Sequence, residues 1–214
     1  GIDLKDIAIT GTGAAAGQKL ALKSATLEGV KVDPATSALS LGAVRLTGLD
    51  TEFVRERTFW PQLALVQIAL DDDVLLVDPL APGMTDALRP WLTDPSITKV
   101  MHSASEDLIA LRQACGVVPQ PLFDTQVAAA LAGLGAGLGY QKLVQQIEGV
   151  ALAKGETRSD WLRRPLSASQ LEYAADDVRH LHALHAELAS RLETLGRSDW
   201  LAQDCARMAA NAER

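Results

Sequence analysis

Asp50-Thr51-Glu52 constrains this chain more than any other stretch, because it closes the apolar run Ala43 to Leu49 with two carboxylates spaced i, i+2. Extended backbone sends alternate side chains to opposite faces, so on a strand Asp50 and Glu52 point the same way. Two carboxylates so close repel each other, and a divalent cation is the simplest charge that relieves them. The pair therefore reads as half of a metal site; the bland alternative is a solvated strand end with ordinary surface acids.

A second signal lies between Ser167 and Leu195, where Leu171, Ala174, Val178, Leu181, Leu184, Leu188, Leu192 and Leu195 recur near helical period. Ser167 is an N-cap with Gln170 in the capping-box position, so the pattern predicts a helix from Ser167 onward. Tyr173 and Asp177, four apart, share one face of it. A further acid, Asp107, opens a predicted helix from Glu106 to Cys115, directly after the apolar run Thr98 to Met101. Alone, Asp107 is a first-turn acid favoured by the helix dipole and Asp177 a solvated helix position.

Taken in order, Asp50-x-Glu52, Asp107 and Tyr173-x3-Asp177 resemble the three motifs of the DEDD superfamily of 3′-to-5′ exonucleases. The match is to its tyrosine-bearing branch; the sister branch carries a His five residues before the last Asp, where this chain has Glu172. Leu49 to Leu63, His102 to Leu108, Phe123-Asp124-Thr125-Gln126, Arg158 to Leu166 and Tyr173 to Val178 extend the likeness to the ribonuclease D family, from Ala43 to about Met208. The resemblance implies an α/β fold with a ribonuclease H-like mixed sheet flanked by helices. It implies a metal-dependent 3′-to-5′ exoribonuclease that releases nucleoside 5′-monophosphates from tRNA precursors and other small structured RNAs. Asp50, Glu52, Asp107 and Asp177 would hold two divalent cations, Mg²⁺ or Mn²⁺, and Tyr173 would complete the catalytic set. Two readings compete: the same chemistry on DNA, and a non-catalytic RNA-binding module that kept the fold.

Strand and helix patterns accommodate such a domain. Ala43 to Leu49, Leu63 to Leu70 and Val74 to Val77 read as strands, the last two joined by Asp71-Asp72-Asp73. A helix near Thr85 to Leu92, a strand at Thr98 to Met101, the helix from Glu106, a short strand at Leu122-Phe123 and helices from Asp124 and Tyr140 follow. Alternation of this kind implies crossovers and a sheet covered by helices. Residues 41–214 are thus expected to form the exonuclease domain, without the helical HRDC domains that often follow in ribonuclease D relatives. Residues 1–40 read as a lead-in. Within it Thr10-Gly11-Thr12-Gly13-Ala14-Ala15-Ala16-Gly17 mimics a nucleotide-binding glycine turn, but Asp33-Pro34 and Ser37 to Ser40 interrupt any complete βαβ unit. The chain starts at Gly1 rather than Met, which points to a start lost or processed.

A net charge of -7 is unexpected for a ligand of nucleic acid, which needs Lys and Arg to displace phosphate counterions. Metal charge at the site offsets part of it, and local cations guide the strand. Arg55 and Arg57 after the first motif, and Arg158, Arg163 and Arg164 with Lys154 further on, are candidate phosphate contacts. Phe53, beside Glu52, is the candidate substrate wedge; Phe59, Trp60 and Trp161 are further rings on which unpaired bases could stack. The expected partner is RNA with a free single-stranded 3′ end, and no apolar stretch approaches the roughly 20 residues a membrane helix needs. Cys115 and Cys205 form no disulfide framework and suit a reduced, cytoplasmic protein. His180, His182 and His185 suggest zinc only weakly, since no third partner stands at ligand spacing; they read as a polar helix face.

Overall fold

The structure is a computed structural model and describes residues 8–9, 20–21, 30–33, 38–41, 45–70, 73–153, 155–156 and 159–214. Two short antiparallel pairs come first, β1 (Ala8–Ile9) with β2 (Leu20–Ala21) and β3 (Val30–Asp33) with β4 (Ala38–Leu41). The interruption read at Ser37 to Ser40 is thus largely a strand. The glycine string from Thr10 to Gly17 lies outside the described residues.

The main sheet is built on β5 (Leu46–Val54), β6 (Gln62–Leu70) and β7 (Asp73–Val77), an antiparallel meander. Then come α1 (Met84–Leu92), β8 (Thr98–Met101), α2 (Ser105–Cys115) and β9 (Leu122–Asp124). Both later strands run parallel to β5, which gives the order β7-β6-β5-β8-β9. This is the mixed sheet flanked by helices that the resemblance implied, with β5 at its centre. The remaining helices are α3 (Thr125–Leu131), α4 (Tyr140–Glu148), α5 (Ala168–Arg179), α6 (Leu181–Thr194) and α7 (Ser198–Ala212).

Alternation along β6 sorts the core onto the two faces of the sheet. Val66, Ile68 and Leu70 pack with Leu49, Leu88, Trp91, Leu108 and Leu111, under α1 and α2. Leu65 and Ala69 pack with Leu76, Val100, Ala174, Ala175, Val178 and Leu181, under α5 and the start of α6. On this second face a Cβ at Gly48 would stand 3.0 Å from the Ala69 Cβ and 3.1 Å from Leu181 Cδ1, so glycine lets α6 settle onto the sheet. A third cluster joins α3, α4, α6 and α7 through Ala128, Leu143, Leu188 and Leu201.

One expected helix is two. The periodic segment from Ser167 breaks at His180, between α5 and α6. The cause is tertiary: the Tyr140 hydroxyl from α4 donates to the Asp176 carbonyl (3.0 Å) and accepts the His180 N–H (3.2 Å). The hydroxyl thus serves backbone groups on both sides of the junction, at a position where sequence periodicity carries no signal. At the other end Ser167 and Gln170 form the expected capping box.

Candidate active site

β5 continues beyond its apolar run to Val54 and carries both acids of the first motif within the strand. After Glu52 the pairing with β6 shifts register, so that Glu52 faces Leu65 while Phe53 faces Leu63. Such bulges bend and twist a strand, often beside functional sites. Asp177 reaches the same place from α5, which crosses the sheet over Ala174 and Val178. Asp50, Glu52 and Asp177 can each present a carboxylate oxygen such that all three lie within 4.8 Å of one another. Asp107 stands in the first turn of α2, buried, and accepts a 2.6 Å hydrogen bond from the Thr51 hydroxyl. It acts on Asp50 and Glu52 through charge.

Thr51 is the residue that a search for acids misses. Because Asp50 and Glu52 share one strand face, Thr51 takes the other, where it meets Asp107 and ties the second motif to the first. The same alternation that pairs the acids contains this signal. Gly155 is also absent from the sequence reading. A Cβ there would stand 2.6 Å from Cδ2 of Tyr173, so the backbone at Gly155 lies directly against the tyrosine ring.

Tyr173, half-buried, stands one helical turn before Asp177, and its hydroxyl acts on that carboxyl. The neighbouring acid Asp176 has another role, since it pairs with Arg179 on the surface. Burial raises the Tyr173 phenol well above its ordinary value, and the charges of Asp177, Glu52 and Asp50 raise it further. It is therefore a hydrogen-bond donor at neutral pH and cannot act as a base.

The carboxyls themselves are strongly perturbed. Burial, then Asp107, Asp177 and Glu52, push Asp50 far up; burial, then Asp177 and Asp107, raise Glu52 to about 8. Burial lifts Asp107 to about 7 against the Thr51 hydrogen bond, and Asp177 to about 7 against the opposing effect of the nearby Tyr173 hydroxyl. The side-chain charges acting on Asp50 and Glu52 are all carboxylates, which is what a cation would relieve. Converging hard oxygen donors fit Mg²⁺ or Mn²⁺ and not zinc, which favours His and Cys.

These shifts set a stability trend for the protein kept free of metal with EDTA. A carboxyl whose folded pKa is raised binds more protons folded than unfolded, so its contribution is fully present below about pH 4 and is lost as pH rises through about 7 to 8. The melting temperature should accordingly fall by about 5 °C or more between pH 5 and pH 8. Thermal melts at stepped pH check this, and Asp50→Asn should flatten the slope. A wild-type profile that rises over this range would show that the acids are not forced together.

The candidate phosphate contacts are placed differently from one another. Arg55 pairs with Glu106 at 2.6 Å, next to Asp107 and open to solvent. Arg57 is exposed with φ 61°, and Arg163 is exposed. Arg158 and Lys154 lie outside the described residues. Arg164 turns away from the role assigned to it. Its Nε and Nη2 grip the two oxygens of Asp78, Nη2 also donates to the Ala64 carbonyl and Nη1 to that of Trp161, each at 2.7 Å. Such a fork, with each of these bonds made inside the protein, is a clamp between the Trp161 loop, β6 and the end of β7.

Phe53 is half-buried and packed against the α1–α2 core, and Trp161 is 2% exposed in the other core layer. Phe59 and Trp60 are solvent-facing at 76% and 47% and meet edge to face. The histidines disperse: His180 pairs with Glu148, His182 faces the Leu46 carbonyl and His185 meets the Phe123 ring. Among the described residues, the group able to hold a metal is the acid triad and includes no histidine. His102 bridges Thr125 Oγ1 (2.9 Å) and the Leu138 carbonyl (3.0 Å), so both ring nitrogens serve the fold. Both cysteines are free and buried, and burial raises each thiol to about 11. No helix among the described residues is long and apolar enough to cross a membrane.

With this geometry in place, comparison with known proteins is informative. A family described as 3′-5′ exonuclease matches residues 33–193. Ribonuclease D of Xanthomonas oryzae is 66% identical over 166 residues, covering 78% of this chain and 46% of the relative. The crystal structure of Escherichia coli RNase D, described as an exoribonuclease involved in structured RNA processing, superposes with a TM-score of 0.77 at 41% identity, over 80% of this chain and 46% of that one. Brucella melitensis NrnC, at 33% identity and covering 79% of this chain and 84% of its own, superposes at 0.70 bound to pGG and at 0.69 with bound Mg²⁺. The chain thus spans about half the length of the ribonuclease D relatives it matches.

Proposed function

The chain belongs to the 3′-5′ exonuclease family, and from that premise we propose that it is the catalytic domain of a metal-dependent exoribonuclease similar to ribonuclease D. Its substrate is RNA with a free single-stranded 3′ end, its products are nucleoside 5′-monophosphates, and its natural targets are tRNA precursors and other small structured RNAs. The observation that carries this reading is the approach of the Asp50, Glu52 and Asp177 carboxylates to within 4.8 Å, with Tyr173 one helical turn before Asp177. Support for RNA comes from the ribonuclease D relatives, and for a divalent cation from the Mg²⁺ in NrnC.

Asp50, Glu52 and Asp177 would hold one cation, and Asp50 with Asp107 a second. When bound, such ions stabilise the attacking and leaving oxygens of an in-line phosphoryl displacement. Tyr173 orients the attacking water by donating or sharing a hydrogen bond beside Asp177, and the Gly155 backbone fixes the ring that carries this hydroxyl. Thr51 holds Asp107. Arg55, Arg57, Arg158 and Arg163 offer phosphate contacts along the strand, and Phe53 borders the terminal nucleotide.

Incubation of one 5′-labelled RNA and its DNA analogue with Mg²⁺, Mn²⁺ or EDTA tests the reading. Stepwise shortening of the RNA from its 3′ end, stopped by EDTA, is expected. A 3′-phosphate should block digestion, because its added charge crowds the acids, and a paired 3′ end should slow it, since unstacking costs about a few kcal/mol before the nucleotide can enter. Internal cuts or digestion of circular RNA would exclude an exonuclease. Preference for the DNA would redirect the reading to a DNA exonuclease, and binding without cleavage to a non-catalytic module.

A further inference from the structure

Gln67 sits in the middle of β6 with a side chain 0% exposed, and neither its Nε2 nor its Oε1 has a hydrogen-bond partner. An amide buried with both ends unsatisfied is costly, and an aliphatic side chain would fill the same space without that cost. The register shows what the amide faces. Gln67 stands directly opposite Asp50 on β5 and Leu76 on β7. Directly opposed residues share a sheet face with Cβ atoms about 4.5–5.5 Å apart, which brings a glutamine amide within reach of the carboxylate. Leu65, Ala69 and Leu76 on this face are apolar.

Asp50 for its part has the backbone at Thr51 beside it and is otherwise acted on by carboxylates. A carboxylate that gives one oxygen to a cation is held in place by a donor on its remaining lone pairs, and such supporting donors govern affinity for the ion. We propose that Gln67 is a positioning residue: its Nε2, unpaired in the metal-free protein, donates to the Asp50 carboxylate when a cation binds and fixes it in the orientation that converges with Glu52 and Asp177. The proposal rests on the reading of these acids as a metal centre.

Gln67→Met is the test, because methionine matches glutamine in length and flexibility and lacks the donor. Titration calorimetry with Mn²⁺ alone should show affinity weakened about 10- to 100-fold. The melting temperature in EDTA should hold or rise by about 2–4 °C, since an unsatisfied buried amide is gone. Loss of metal affinity without loss of fold is not what a packing residue would produce. A Met variant that binds Mn²⁺ as tightly as wild type overturns the proposal while leaving the metal centre intact. A wild-type protein that binds no Mn²⁺ overturns both together. Independently of any variant's folding, Mg²⁺ should move the side-chain NH₂ proton resonances of Gln67 downfield in the wild-type protein; resonances that stay put also overturn it.

Discussion

Asp50→Asn should lower hydrolysis of a single-stranded RNA by about 1,000-fold or more, equivalent to ~4 kcal/mol of transition-state stabilisation. Asp50 is the acid on which the whole cluster acts: Asp107, Asp177 and Glu52 each raise its pKa beyond what burial does. It is also common to both proposed cation positions. The substitution removes an anionic ligand while keeping the shape, so hydrolysis should collapse without the fold collapsing. Removing one charge from a repelling group relieves the metal-free protein, and its melting temperature above pH 7 should hold or rise. Single-turnover rates at saturating Mg²⁺, beside melts in EDTA, measure the two effects separately. Near-wild-type turnover by the variant would refute the assignment of Asp50 as a ligand.

Tyr173→Phe should lower kcat by about 10- to 1,000-fold, or ~1.4 to 4 kcal/mol, with Mn²⁺ affinity little changed. The geometry separates its hydroxyl from its ring. The hydroxyl acts on Asp177, while the ring lies against the Gly155 backbone with its centroid 6.1 Å from that of the buried Trp161. Phenylalanine keeps the ring contacts and loses only the donor, so the loss reports on orientation of the attacking water. Its pH–rate profile should keep the wild-type shape, because a phenol raised above its ordinary value does not titrate in the working range. Unchanged rates would reduce Tyr173 to a packing residue, and loss of Mn²⁺ binding would make it a ligand.

Much of this site is legible in the sequence, because its parts are set by short-range geometry. The i, i+2 spacing of Asp50 and Glu52 and the i, i+4 spacing of Tyr173 and Asp177 place each pair on one face wherever the strand and helix lie. The capping box at Ser167 and the strand of Thr98 to Met101 are local in the same sense, and both are present. Where the reading and the structure part, the deciding partner is far away in sequence. By its charge Arg164 belongs with the phosphate contacts, but Asp78, 86 residues earlier, holds its guanidinium. Periodicity carries the helical pattern from Ser167 to Leu195 without a break, and a hydroxyl from α4 at Tyr140 divides it at His180.

The sequence by itself determined which residues are acids, how they pair along each element and the family they resemble. Only the tertiary structure decided that β8 lies parallel to β5, which sets Asp107 beside Thr51, and that α5 crosses the second face of the sheet, which sets Asp177 beside Asp50 and Glu52. It also decided that Gln67 faces Asp50, a relation that exists only once β6 pairs with β5 in this register. The reason is physical. Backbone sterics impose the periods of strand and helix on neighbours in the chain, whereas which periodic faces meet is settled by the burial of apolar area over the whole domain, and no short stretch of sequence contains that sum.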